Sequence, residues 1–154
     1  MNISLDTFDH KILASLQRDA RIPLDSLADI IGLSRNACWR RVKRMEQDGV
    51  IKRQVALVDA AAVGLPLSVF VLIRTSNHED GWLQRFERAV NDLPEIIGAH
   101  RMSGDLDYIL RVQIADVAAY DSFYRRLIKR VPLSDISASF VMENIKDTTA
   151  LPVA

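Results

Sequence analysis

The chain has 154 residues, with 20 Lys and Arg against 20 Asp and Glu and 49% apolar residues, enough for one domain or two small ones, and it is not a nonspecific polycation. A single cysteine, Cys38, excludes a disulfide framework and a multi-cysteine zinc site. The longest apolar run, around residues 65–73, is too short to span a bilayer; with neither a cationic region nor an apolar core in the first six residues, a cytoplasmic location away from membranes is expected.

Residues 6–18 are predicted as a first helix, with Ile12, Leu13 and Leu16 on its buried face. Residues 24–31 and 35–48 follow as two helices joined by a tight turn containing Gly32. Ser34 is a natural N-cap for the third helix, because its hydroxyl accepts from a backbone N–H that the first turn leaves unpaired. Gly49 suits the left-handed position just beyond its end. Cys38, Val42 and Met45 fall at helical spacing as a narrow apolar stripe, while Asn36, Arg40, Lys43 and Arg44 lie on the opposite side.

This is the layout of a helix-turn-helix whose second helix enters the major groove of double-stranded DNA. Arg35 sits at the N-terminal tip of that helix. Arginine pairs bidentately with guanine and asparagine with adenine, so Asn36 and Arg40 are the candidates for base contacts. Lys43, Arg44 and Arg41 are placed to hold phosphates, and Ser34 caps the helix that carries them. A plain solvated helix face is the competing reading, but capping, turn, stripe and charge agree on DNA. Charge is also segregated: residues 35–53 hold seven Lys and Arg against two acids, and residues 54–154 hold ten against thirteen.

Residues 50–58 alternate toward strand character, and Gly64 and Pro66 mark a linker. The expected organisation is a helix-turn-helix DNA-binding domain at 1–50, a connecting strand and linker at 51–66, and a second domain at 67–154. In the second domain, strands are predicted at 68–75, 96–102, 108–114 and 136–145. One helix carries Trp82, Leu83, Phe86, Ala89, Val90 and Leu93 on one face. Another, capped by Asp116 and running to Val131, carries Tyr120, Tyr124, Leu127 and Ile128. The order βαββαβ is that of a ferredoxin-like unit, so the fold class is α+β: a winged-helix-like helix-turn-helix followed by a ferredoxin-like domain. Trp82, Phe86, Phe123 and Tyr124 are read mainly as core of that domain.

An enzyme is a poor fit. His10, His78 and His100 lie in different predicted elements with no i,i+4 metal pair, and His78 reads as a solvated loop residue. No glycine-rich phosphate loop or nucleophile elbow is present, and Cys38 on the apolar stripe reads as a small buried hydrophobe. No cofactor or metal is expected.

The first domain, with Leu5-Asp6, Asp9, Ile12-Leu13, Asp19-Ala20-Arg21-Ile22, Gly32-Leu33-Ser34 and Arg41-Val42, resembles the Lrp/AsnC family of transcriptional regulators. Ser103-Gly104-Asp105-Leu106-Asp107-Tyr108 resembles that family's signature loop, and residues 146–152 its terminal Lys…Thr…Leu-Pro pattern, so the resemblance covers nearly the whole chain. Cys38-Trp39, Trp82, Arg101-Met102 and residues 145–152 are most similar to a branch that senses cysteine. Arg35-Asn36 departs from the small residue and proline common after the capping serine, and Val131-Pro132-Leu133-Ser134 lacks the usual glycine after proline.

The resemblance implies a regulator whose second domain pairs subunits and binds an amino-acid effector, L-cysteine being the first candidate. It implies homo-oligomers, dimers that assemble to octamers, presenting paired heads to a pseudo-palindromic site. It places the effector near Ser103, Gly104, Asp105, Asp107 and Tyr108, with Ser137 and Ser139 on the last strand as further candidates. Asp105 or Asp107 would meet the ammonium and backbone N–H groups around Gly104 the carboxylate; tight-turn chemistry alone also demands Gly and Asp there. The other class of reading is a ligand-independent architectural protein of the nucleoid type.

Overall fold

The computed structural model describes residues 3–75 and 80–153, and the chain forms two compact units, Met1–Ala56 with Lys146–Ala154, and Leu57–Ile145. In the first unit, α1 spans Thr7–Leu16, α2 Leu24–Ile31 and α3 Arg35–Gln47. A capping box starts α1: Asp6 accepts from the Asp9 N–H at 2.9 Å, and Asp9 accepts from the Asp6 N–H at 3.1 Å. Gly32, at φ +80°, ends α2 in the left-handed conformation that only glycine adopts without strain. That turn lets the Leu33 N–H reach the Ala28 carbonyl at 3.0 Å and brings Ser34 to the start of α3. Ile12, Leu27, Ala28, Ile31, Cys38 and Met45 close the core.

Two expectations change in this unit. Residues 50–58 carry no strand; residues 52–58 are exposed and meet no ladder partner among the described residues, so alternation alone yields extended chain. The terminal segment, expected in the second domain, returns to the first unit. Gln17 holds it with both ends of its amide, donating to the Leu151 carbonyl at 3.1 Å and accepting from the Leu151 N–H at 2.7 Å. Val153 packs against the core of the head. A short exposed tail of mixed composition has no periodicity that announces such a partner.

In the second unit, β1 is Leu67–Arg74, α4 Asp80–Asp92, β2 Ile96–Arg101, β3 Tyr108–Ile114, α5 Val117–Arg130 and β4 Asp135–Phe140. The antiparallel sheet has the order β2-β3-β1-β4. This is the ferredoxin-like arrangement expected from the element order. Val69, Val71 and Ile73 alternate with Phe70, Leu72 and Arg74, so one face of β1 is sealed and the other is open. The sealed face packs with Leu110, Val112 and Ile114 of β3 and with Trp82, Phe86, Phe123 and Leu127 of the helices. On α5 the buried stripe includes Phe123, while Ile128 is 39% exposed, one step off the stripe that Leu127 occupies. Strand β4 ends at Phe140, five residues short of the expected limit, and Met142 and Ile145 beyond it are almost wholly exposed.

Acid should loosen both units. The Asp9 N–H and the Arg41 guanidinium hold the Asp6 carboxyl below the usual carboxylate range. Burial is the largest single influence and would push the Glu95 carboxyl up, but the Arg126 hydrogen bond, a backbone hydrogen bond and the charges of Arg126 and Arg130 together outweigh it and hold Glu95 low. Both groups titrate lower folded than unfolded, so their contribution is complete above about pH 5 and is lost as pH falls through about 4 toward their folded values. Urea midpoints measured from pH 7 to pH 3 should stay level and then fall below about pH 4.5. A midpoint that rises on acidification would contradict this sign.

Candidate functional site

Helix α3 presents two different sets of cations. Ser34 caps it by accepting from the Ala37 N–H at 3.3 Å. With Cys38 and Met45 at zero exposure on the core side, helical periodicity turns Asn36, Arg40, Lys43 and Arg44 outward, and Arg35 and Trp39 are exposed beside that face. Arg35 pairs with Asp25 at 3.0 Å and Lys43 with Glu46 at 2.7 Å. Both pairs are solvent-exposed; such pairs contribute little in water and give way readily to a phosphate.

Arg41 and Arg44 are placed otherwise. Arg41 donates to Asp6 at 2.7 Å and to Asp9 at 2.9 Å, and Arg44 donates to Asp9 at 2.5 Å. Asp9 is 1% exposed, so the two arginines answer a buried carboxylate of α1. The hydrogen bonds from Asp6 and Asp9 push the Arg41 guanidinium to an even higher pKa, keeping it charged. Arg40, Arg41 and Arg44 line a groove of about 320 Å³ with Leu33 and Ala37. Six basic or amide side chains were nominated on α3 from sequence: Arg35, Asn36, Arg40 and Lys43 are exposed, while Arg41 and Arg44 bond to the α1 carboxylate Asp9, Arg44 with about half of its side chain still exposed.

Trp39 is the residue that the sequence reading passed over. It is 51% exposed and shares the outer face with Asn36 and Lys43, at i+3 and i−4. The signal was available: position 39 is off the stripe formed by positions 38, 42 and 45. Burial pushes the Cys38 thiol up, away from the thiolate a nucleophile needs.

The effector candidates do not converge within one chain. Residues 103–106 form the exposed and half-buried turn between β2 and β3, with Gly104 at φ +112°. The Asp105 carbonyl accepts from Arg74 at 2.8 Å. Asp107 is half-buried; its carboxylate accepts from the Thr75 N–H at 2.8 Å, and its own N–H donates to the Ile73 carbonyl at 3.0 Å. Tyr108 is 8% exposed, in ring contact with Phe86 at 4.6 Å, and lies on the helix side of the sheet. Ser137 and Ser139 pair opposite Leu72 and Phe70, which places both on the open face and away from Tyr108.

On the helix side, a cleft of about 290 Å³ lies between α4, β2 and β3. Tyr108, Phe86, Leu83 and Val90 form its apolar lining, and Glu87, Asn91 and Arg101 add polar groups. Glu87 was not anticipated: on an amphipathic helix it reads as part of the solvated side. Among the described residues, no group of three or more His, Cys, Asp or Glu is placed to hold a metal, and no helix is long and apolar enough to cross a membrane. His78 lies outside the described residues.

With this geometry in view, comparison with known proteins points in one direction. The family model for the Lrp/AsnC ligand binding domain matches residues 68–151, and a model for winged helix-turn-helix DNA-binding matches residues 5–52. The chain is 48% identical over 150 residues to the DNA-binding transcriptional activator DecR of Escherichia coli (strain K12), covering 97% of this chain and 99% of that protein. The crystal structure of an AsnC family transcriptional regulator from Agrobacterium tumefaciens is similar with a TM-score of 0.93 and 49% identity, over 96% of this chain and 97% of that one. Transcriptional regulator NMB0573 of Neisseria meningitidis, solved as a complex with L-Met, is similar with a TM-score of 0.92 and 31% identity, over 97% of each chain.

Proposed function

This chain belongs to the Lrp/AsnC family of DNA-binding transcriptional regulators, and from that premise we propose that it is an amino-acid-gated regulator that reads its operator with the outer face of α3. The observation that carries the reading is the division of α3. Asn36, Arg40, Arg35 and Lys43 face outward, while Arg41 and Arg44 are spent on Asp9. Asn36 and Arg40 offer the bidentate donors that distinguish adenine and guanine, and Arg35 and Lys43 take phosphates. Dimers assembling to octamers would present pairs of heads to a pseudo-palindromic site.

The effector in this reading is a small amino acid, with L-cysteine tried first on the strength of Cys38-Trp39, Trp82 and Arg101-Met102. It binds around the 103–108 turn, where Asp105 or Asp107 meets the ammonium group and the backbone at Gly104 meets the carboxylate. Ser137 and Ser139 lie on the other face from Tyr108, so they join the site only if a neighbouring subunit completes it.

Asp107→Asn tests the effector site. Asparagine keeps an oxygen for the Thr75 N–H but removes the charge. The expected result is at least about tenfold weaker effector response, the scale of a lost charged hydrogen bond, with effector-free DNA affinity unchanged within about twofold. The measurement is fluorescence anisotropy on a duplex enriched by this protein from a random pool, at fixed salt, titrated with each of the twenty amino acids. Undiminished response in the variant removes Asp107 from the site. Specific binding that no amino acid alters favours the architectural reading over gating.

A further inference from the structure

We propose that Trp39 is a specificity-determining residue that packs its indole against thymine 5-methyl groups in the major groove. The inference rests on α3 being the DNA-reading helix, as argued above, and goes beyond it by assigning the apolar part of the readout.

Three observations carry it. Trp39 keeps 51% of its surface exposed on a helix whose core side is already filled by Cys38 and Met45 at zero exposure, so the core does not claim the ring. Its position at i+3 from Asn36 and i−4 from Lys43 places it next to both on the exposed side of the helix. Charge selects the occupant: Arg35 and Lys43, one turn to either side of Trp39, and Arg40 on the same exposed stretch of α3 make the setting cationic, which suits a polyanionic duplex and disfavours an apolar protein partner.

The chemistry then narrows to one base feature. Along the major groove, the thymine C5-methyl is the bulky apolar group among the hydrogen-bonding base edges and is read by apolar contact, the cytosine C5–H being far smaller. A flat, half-exposed indole removes its own apolar surface from water by lying against that methyl. Asn36 and Arg40 alone read adenine and guanine. Trp39 adds a third element, a preference for thymine at a base pair adjoining theirs.

The experiment is a coupling cycle between protein and DNA. The full chain, Trp39→Ala and Arg40→Ala are each titrated against the pool-enriched duplex and against duplexes in which single thymines are replaced by deoxyuridine, which lacks only the methyl. In the wild-type chain, one or more replacements should weaken binding about fourfold, the equivalent of about 0.8 kcal/mol for one buried methyl-sized group. In Trp39→Ala the same replacements should have no effect, and the salt dependence should match wild type because no phosphate contact is lost.

The proposal is overturned if no deoxyuridine replacement affects wild-type binding, a result that needs no variant to fold. It is equally overturned if the replacements weaken Trp39→Ala as much as wild type. Arg40→Ala separates the two levels of argument. If it loses affinity while Trp39→Ala shows no coupling, α3 still reads DNA and only the role of Trp39 fails. If neither variant alters binding, the reading of α3 fails with it.

Discussion

Trp82→Ala is expected to cost the second unit about 3–5 kcal/mol, the range for removing a large aromatic from a closed core. The ring is 1% exposed, stacks on Phe86 at 5.1 Å and lies 5.8 Å from Tyr108, and its indole N–H donates to the Pro132 carbonyl at 2.7 Å. That bond ties α4 to the turn between α5 and β4. A domain of this size has about 5–15 kcal/mol in hand, so the loss is a large fraction of it. Guanidinium unfolding followed by circular dichroism should show the transition of this unit moved to much lower denaturant. Trp82→Phe keeps an aromatic ring against Phe86 but loses the hydrogen bond and part of the ring volume, so about 2 kcal/mol is expected. Equal effects of the two variants would mean that the hydrogen bond, rather than the ring volume, sustains the unit.

The second large effect lies in the DNA-binding unit. Asp9→Ala removes the acceptor shared by the Asp6 N–H, Arg41 and Arg44. Breaking a buried ion pair costs about 3–5 kcal/mol; because Arg41 and Arg44 reach solvent and rehydrate, about 3 kcal/mol is expected here. Arg44→Gln should cost under about 1 kcal/mol, since Arg44 is about half exposed and Asp9 retains Arg41. Thermal melts of the two variants, read beside DNA affinity, check this ordering. If Asp9→Ala melts with wild type, the Asp9 cluster does not anchor α3. If Arg44→Gln instead weakens DNA binding steeply with the head fully folded, Arg44 is a phosphate contact after all.

That distinction shows where sequence reasoning ran short. Arg40, Arg41 and Arg44 are the same residue type on one helix, and helical angle separates Arg41 from Arg40 by only about 100°. What divides them is a carboxylate thirty-odd positions earlier, Asp9, whose burial cannot be read from its own neighbours. In sequence Asp9 is a capping-box acid, a role it does fill. Trp39 was legible by the same periodicity that placed Cys38 and Met45, but attention to charge passed over an apolar residue on a polar face. The serines on β4 illustrate the reverse: alternation puts Ser137 and Ser139 on one face, and only the pairing of β4 with β1 says that it is the open one.

Local features are legible in the chain without its fold. Gly32, Ser34, Gly49 and Asp116 mark turns and caps through short-range hydrogen bonding and backbone freedom, and apolar periodicity marks the core stripes of α1, α3, β1 and β3. The order of elements also determines the fold class, because it leaves few ways to bury those stripes. Only folding settles which arginines bond to Asp9, where the terminal segment docks, and which face of the sheet stays open. Each of those depends on contacts between residues far apart in the chain, and such contacts leave no periodicity in either partner. Burial of Asp9, the amide grip of Gln17 on Leu151 and the pairing of Leu72 with Ser137 come into being only when the chain closes on itself.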